Sequence, residues 1–349
     1  MTADSRHVRS LLSAEATYSG ELGTITRLTA DSFPVLERMS IKRLVLEPGA
    51  IREPHWHANA NELTYCISGS ALVTVFDTAD EFSSFTITAG QMFHVDSGGL
   101  HHIENIGETA AEFIVVFSHE RPEDFSLRDS FGAMSNAVLG NTFDLPSSAF
   151  AGFPRETSSP LIVKRVGAAS IPDTAGWANR HKFDVEGQLA PLKAAVGSAH
   201  LARSQYWPAL KNLSMYSLRI EEDGMREPHW HPVTAELGYV HEGQARMSIL
   251  APDGSVDTYT LDAGDVYFVP RAYPHQIEVL SDGPIHFLVF FDQPTPGDIG
   301  FRASGSAFSR EVLAASFGIA EADLPQLPFT SIDPLIVNRT NPLDPVVGR

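Results

Sequence analysis

Apolar positions along the chain come in short runs of strand length. Leu72-Val73-Thr74-Val75-Phe76 and Phe113-Ile114-Val115-Val116-Phe117 are rich in β-branched and aromatic residues. Turn signals separate such runs: Glu47-Pro48-Gly49, Ser68-Gly69-Ser70, Ala89-Gly90 and Ser97-Gly98-Gly99. Many short strands punctuated by glycine and proline predict an all-β sandwich or barrel. A helical segment follows the last strand of the pattern. It is clearest near the C-terminus, where Ser309 is placed to cap Val312-Leu313-Ala314-Ala315 and Gly318 to end it.

The pattern occurs twice. Adding 174 to a position in the first half lands on the same residue type in the second: Pro34 on Pro208, Leu44 on Leu218, Gly69 on Gly243, Gly90 on Gly264, Phe113 on Phe287, Asp124 on Asp298. Pro160-Leu161-Ile162-Val163 returns as Pro334-Leu335-Ile336-Val337 at the same offset. Two units, roughly 23–165 and 197–339, therefore share one fold. Residues 166–196 show no counterpart in the repeat and read as a connection, and residues 1–22 as an arm that packs on the other half or on a neighbouring subunit. The expected division is 1–175, arm and first domain, and 176–349, linker and second domain.

Composition adds exclusions. At 349 residues the chain is long enough for two separate cores. A net charge of −18 and the lack of any basic run argue against nucleic acid. The single cysteine, Cys66, cannot form an internal disulfide and reads as a small buried residue. Neither a secretory leader nor a membrane-spanning run is present, so the expectation is a cytoplasmic protein with no membrane partner.

The chemistry sits in Arg52-Glu53-Pro54-His55-Trp56-His57 with Glu62, repeated as Arg226-Glu227-Pro228-His229-Trp230-His231 with Glu236. On a strand, alternate residues share a face, so His55 and His57 form a preset pair of nitrogen ligands, as do His229 and His231. Glu62 and His101, with Glu236 and His275 in the second copy, can return to that face after a turn. A lone strand histidine is most often a satisfied core or surface residue. The same four residue types at identical spacing in both copies favour metal. Elsewhere polar positions differ between copies: Lys42 becomes Tyr216, Asp77 becomes Ala251, and His94 and His102 become Phe268 and Gln276. Three imidazoles and one carboxylate suit tetrahedral Zn(II), or octahedral Mn(II) or Fe(II) with open positions.

These motifs resemble the cupin superfamily, a double-sheet jelly roll, and Gly49 to His57 with Glu62 resembles its bicupin oxalate decarboxylase family. The resemblance implies two tandem barrels with short helices after each, and one manganese ion per domain. The ligands would be His55, His57, Glu62 and His101, and His229, His231, Glu236 and His275. It also implies that Arg52 and Arg226 face the open side of the metal and bind a small carboxylate, with dioxygen as a second small substrate. For Arg52 and His55 to face inward together the strand needs a bend or bulge. The alternative is an arginine paired to Glu53 or Glu227 at the barrel mouth. A homo-oligomer is expected, as is common among bicupins.

The family's lid carries its proton-donating glutamate in a Ser-Glu-Asn-Ser text. The corresponding segment here reads Ser118-His119-Glu120-Arg121-Pro122-Glu123-Asp124-Phe125-Ser126. Glu120, Glu123 or Asp124 are the candidate substitutes, against a plain solvated loop. The expected reaction is oxalate to formate and carbon dioxide, or oxalate oxidation to peroxide. The competing readings are an Fe or Mn cupin dioxygenase or isomerase acting on a larger carboxylate or aromatic substrate, and a non-catalytic storage or sugar-binding bicupin.

Overall fold

A computed structural model describes residues 6–78, 81–330 and 332–343. Chain contacts divide it into two units, Ser13–Gly187, and Gln188–Arg349 together with Met1–Leu12. Each unit holds a seven-stranded and a six-stranded antiparallel sheet, as the strand pattern predicts. No helix among the described residues is long and apolar enough to cross a membrane.

In the first unit the larger sheet runs in the order 182–184, 91–95, 62–68, 111–117, 40–46, 23–28, 16–20. The smaller sheet places Ala50–His57 between Asp124–Ser126 and Leu100–Asn105, and Ile162–Lys164 pairs along the same strand. The inner faces enclose one apolar cluster that includes Leu44, Leu46, Val73, Phe85, Phe93, Phe113, Val115 and Phe117. Cys66 is fully buried there, and burial pushes its thiol up to about 12, as a structural cysteine requires. The second unit repeats the layout, with Gly224–Trp230 between Ile299–Gly300 and His275–Val279. Gly69 and Gly243 turn one hairpin of each unit at φ 82° and 83°. A Cβ on Gly69 would lie 2.6 Å from the Ala111 backbone, so this turn admits glycine alone. Helix Arg310–Phe317 is capped by Ser309 and ends on Gly318 in the left-handed conformation, as the sequence predicts.

The structure extends the repeat into segments that looked unmatched. Strand Val8–Ser10 pairs with Asp265–Val269 of the second unit, and strand Lys182–Asp184 pairs with Gln91–Val95 of the first. These two edge strands lie 174 residues apart, as do the histidines before them. His7 Nδ1 donates to the Phe268 carbonyl at 2.8 Å and His181 Nδ1 to the His94 carbonyl at 2.9 Å. Leu11 and Val185, again at that offset, are both fully buried. The linker therefore does have a counterpart, namely the N-terminal arm. The match escapes notice because few residues besides Arg6-His7 and Arg180-His181 keep their identity, and backbone pairing at a sheet edge asks little of side chains. The arm's strand adds to the second unit's sheet, and the contact division falls after Gly187.

Leu11→Ala should cost about 2–4 kcal/mol of stability, the usual range for a buried leucine. Denaturant unfolding checks it; a change within about 0.5 kcal/mol, the usual size of a surface substitution, would show that the arm is not an integral edge strand.

Candidate metal centres

Each smaller sheet carries a bulge where the chemistry begins. His101 pairs with His55 and Ile103 with Arg52, so two residues on one strand span three on the other. The second unit shows the same shift between Arg226 and His229. The extra residue turns both the arginine and the histidine three positions later inward, as the sequence spacing required. Arg52, His55 and His57 are each 2 % exposed.

The eight expected ligand residues gather as two quartets, and within each quartet the donor atoms lie within 4.8 Å of one another. None is more than 3 % exposed. In the first unit His57 Nε2 lies 2.9 Å and His101 Nε2 3.4 Å from Glu62 Oε2. In the second, His231 Nε2 and His275 Nε2 lie 2.9 and 3.3 Å from Glu236 Oε2.

The backbone fixes the tautomers. His55 Nδ1 faces the Glu53 carbonyl at 2.8 Å, His101 Nδ1 faces Gly99 at 2.9 Å, His229 Nδ1 faces Glu227 at 2.8 Å and His275 Nδ1 faces Tyr273 at 2.9 Å. With Nδ1 donating to a carbonyl, each Nε2 presents a lone pair to the shared centre, the arrangement typical of metal-bound histidine. Burial and then the Arg52 charge hold His55 well below its usual range, so it is neutral; burial and Arg226 do the same for His229. Burial opposes the charge on Glu62, but His101 and His57 outweigh it and keep the carboxylate ionised; His275 and His231 do so for Glu236. His101 Nε2 is buried with no hydrogen-bond partner. The neutral rings of His55 and His229, an ionised carboxylate in each set and the orphaned inward nitrogen of His101 fit a divalent ion. There are thus two metal-binding sites, one per domain.

The second oxygen of each ligand carboxylate is held differently in the two copies. Thr64 donates to Glu62 Oε1 at 2.8 Å, whereas Tyr267 donates to Glu236 Oε1 at 2.6 Å. The residue matching Thr64 is Gly238, whose absent side chain makes room: a Cβ there would lie 2.1 Å from the Tyr267 ring. Phe93 stands where Tyr267 stands in the other copy. Two exchanged positions preserve one hydrogen bond, a compensation visible only once the strands are paired.

Arg52 does not pair with Glu53. Its guanidinium donates to Asp124 Oδ2 at 3.0 Å and to the Leu161 carbonyl at 3.2 Å, while its Nε has no partner. Arg226 likewise reaches Asp298 at 2.7 Å and the Leu335 carbonyl at 3.0 Å. The other oxygen of each aspartate meets the remaining histidine, Asp124 with His57 Nδ1 at 2.6 Å and Asp298 with His231 Nδ1 at 2.7 Å, where the Gly297 carbonyl also accepts at 3.2 Å. Asp124 and Asp298 thus orient a ligand and a guanidinium at once. Their match at the repeat offset was the sequence signal for this role.

The lid acids are dispersed. Glu120 accepts the Arg38 backbone N–H at 3.0 Å, outside the ligand cluster. Glu123 is exposed, with its backbone bonded to Ala58 and Asn59 beside the His57 strand end. Lys42, whose change to Tyr216 looked like free drift, lies with its ammonium 3.8 Å from Asp124 Oδ2. Tyr216 lines the second pocket, about 410 Å³ including its open mouth, together with Arg226, His229 and Asp298.

Burial disfavours a charge on His231, but hydrogen bonds to Asp298 and Glu236 outweigh it and raise its pKa to about 9. Metal-free His231 therefore carries a proton at pH 7 that an ion must displace. Affinity of the second centre should rise from pH 7 towards pH 9, about tenfold per unit. Competition titration with a chelator measures this, and a flat profile contradicts it.

The cupin family pattern matches residues 9–149 and 191–324. An oxalate decarboxylase of Bacillus subtilis (strain 168) is 30 % identical over 286 residues, 80 % of this chain and 74 % of that protein. The structure of oxalate decarboxylase from Bacillus subtilis at pH 4.6 superposes with a TM-score of 0.85 at 25 % identity, covering 97 % of this chain and 89 % of that one. A second structure of that enzyme, from work on its Mn(II) centres, gives 0.85 at 26 % identity over 97 % and 90 %. With both repeats matched and the ligand set complete in each, the chain belongs to the cupin superfamily and, within it, to the bicupin oxalate decarboxylase family.

Proposed function

We propose that the protein is a manganese-dependent carboxy-lyase that converts oxalate dianion and one proton to formate and carbon dioxide. The observation that carries this reading is the buried arginine facing each three-histidine, one-glutamate centre, fixed by an aspartate that also orients a ligand. Manganese is favoured over Fe(II) or Zn(II) by the Mn(II) centres of the similar Bacillus subtilis enzyme. Bound to these residues it would supply an anchor for one carboxylate and one-electron redox chemistry.

The chain's own groups account for the rest. The guanidinium of Arg52 is held on two sides by Asp124 and Leu161, so it does not reorganise when substrate arrives. Its unpartnered Nε leaves a donor for the free end of a carboxylate. Phe117 packs edge-on against His57 at 4.6 Å and helps keep bulk water from the ligands. Asp124 is already an acceptor through both oxygens, which makes it a positioning group and not a proton donor. Glu123 is the better proton donor, being exposed on the segment that pairs with the His57 strand end. Glu120 is second to it, since the Arg38 amide holds its carboxylate.

A second outcome follows from the missing Ser-Glu-Asn-Ser text. With proton delivery poor, oxalate, dioxygen and two protons would give two carbon dioxide and hydrogen peroxide. Manganese-loaded protein incubated with oxalate should release formate in proportion to oxalate consumed. Peroxide in its place would assign the oxidase reaction, and no consumption of oxalate would remove this reading altogether. Arg52→Lys should lower kcat/KM by about 100-fold, because a point ammonium cannot copy the held fork. An unchanged kcat/KM would exclude Arg52 from substrate binding.

A further inference from the structure

The two pockets differ in charge at one wall position. Leu44 and Leu46 belong to the first barrel's inner core, and strand alternation puts Lys42 on the same inward face. At the same offset Tyr216 shares its face with Leu218 and Ile220 of the second core. The Lys42 ammonium lies 3.8 Å from Asp124 Oδ2 and 4.6 Å over the Phe117 ring, which itself packs on His57. Asp124 is therefore shared by two cations, Lys42 and Arg52, and cannot neutralise both. In the second pocket Arg226 and Asp298 match one to one. Arg203 there is engaged by the Tyr216 hydroxyl at 3.4 Å and lies over the Tyr206 ring.

A buried ammonium whose ion pair is longer than a hydrogen bond is a costly feature. The fold does not require it, since the sister barrel places a tyrosine at that point. We propose that Lys42 is a specificity-determining residue: with Arg52 it makes the first pocket the receptor for a dianion, while the second pocket is lined by the Arg226 guanidinium alone, Arg203 being engaged by the Tyr216 hydroxyl. This rests on the reading of these sites as carboxylate-binding. A monoanion held by the metal and Arg52 has little left for Lys42 to contact, whereas a dicarboxylate brings a second charge to that wall. Burial pulls Lys42 below its usual range and Asp124 works against that pull; an arriving dianion acts in the same direction as Asp124.

The test uses the full-length manganese-loaded protein and calorimetric binding of oxalate and of formate. Lys42→Met and Lys42→Tyr remove the charge, the second by installing the residue the sister barrel already accommodates; Lys42→Arg restores it. The expected result is a loss of oxalate affinity of roughly 10- to 100-fold in the first two variants, little change for formate, unaltered metal content, and recovery in Lys42→Arg. Equal weakening of both anions, or loss of metal, would assign Lys42 a structural role through Asp124 and overturn the proposal. So would unchanged oxalate affinity. Turnover of wild-type protein is measured alongside. Oxalate that binds in a Lys42-dependent way without being consumed defeats the lyase reading and leaves this one standing. Oxalate that binds wild-type protein no better than formate defeats this one, whatever the turnover.

Discussion

Four polar side chains converge in the dry interior of each barrel, and the backbone dictates how they face. Carbonyl oxygens take the Nδ1 protons of two histidines in the first set and Asp124 takes the third; in the second set all three Nδ1 atoms face carbonyls, His231 that of Gly297, with Asp298 close beside it. The three Nε2 atoms are left no direction but inward, against an ionised glutamate. Burying such a group without a partner costs several kcal/mol. A divalent ion is the partner that satisfies all four donors at once. The bulge, the aspartate bridge and the hydroxyl on the glutamate's second oxygen all serve that geometry.

Duplication shows which parts of the arrangement are constrained. The ligands and the arginine–aspartate pair are identical in both copies. The hydroxyl that steadies the ligand glutamate is kept, but it comes from Thr64 in one barrel and from Tyr267, lodged in the space left by Gly238, in the other. Function there attaches to an atom's position and not to a residue's identity. Lys42 and Tyr216 are a different case: the cation at that wall of the second barrel is Arg203, which stands where the first has Thr29 and is engaged by the Tyr216 hydroxyl. Divergence at that wall is where the two pockets acquire separate ligand preferences.

Much of this was legible in the sequence. Strand-length apolar runs, glycine turns and a constant offset gave twin β-barrels, and four matched ligand types gave the centres. The need for a bulge followed from a three-residue spacing on a strand that alternates in twos. What stayed hidden depends on pairing across strands. The edge strands Val8–Ser10 and Lys182–Asp184 share almost no side chains, because sheet edges are joined by backbone. The partner of Arg52 is Asp124, 72 residues away, and its neighbour Glu53 instead accepts a hydrogen bond from Ser159. Lys42 read as drift because a single lysine on an apolar strand carries no periodic signal. Only the inward face of its strand gives it meaning.

The claim on which all of this turns is that each quartet closes on one divalent ion. Anomalous diffraction from manganese-reconstituted crystals, with metal analysis of the same preparation, examines it most directly. Two ions per chain are expected, one bounded by His55, His57, Glu62 and His101 and the other by His229, His231, Glu236 and His275. Anomalous density elsewhere on the chain, or quartets that stay metal-free after reconstitution, would contradict it.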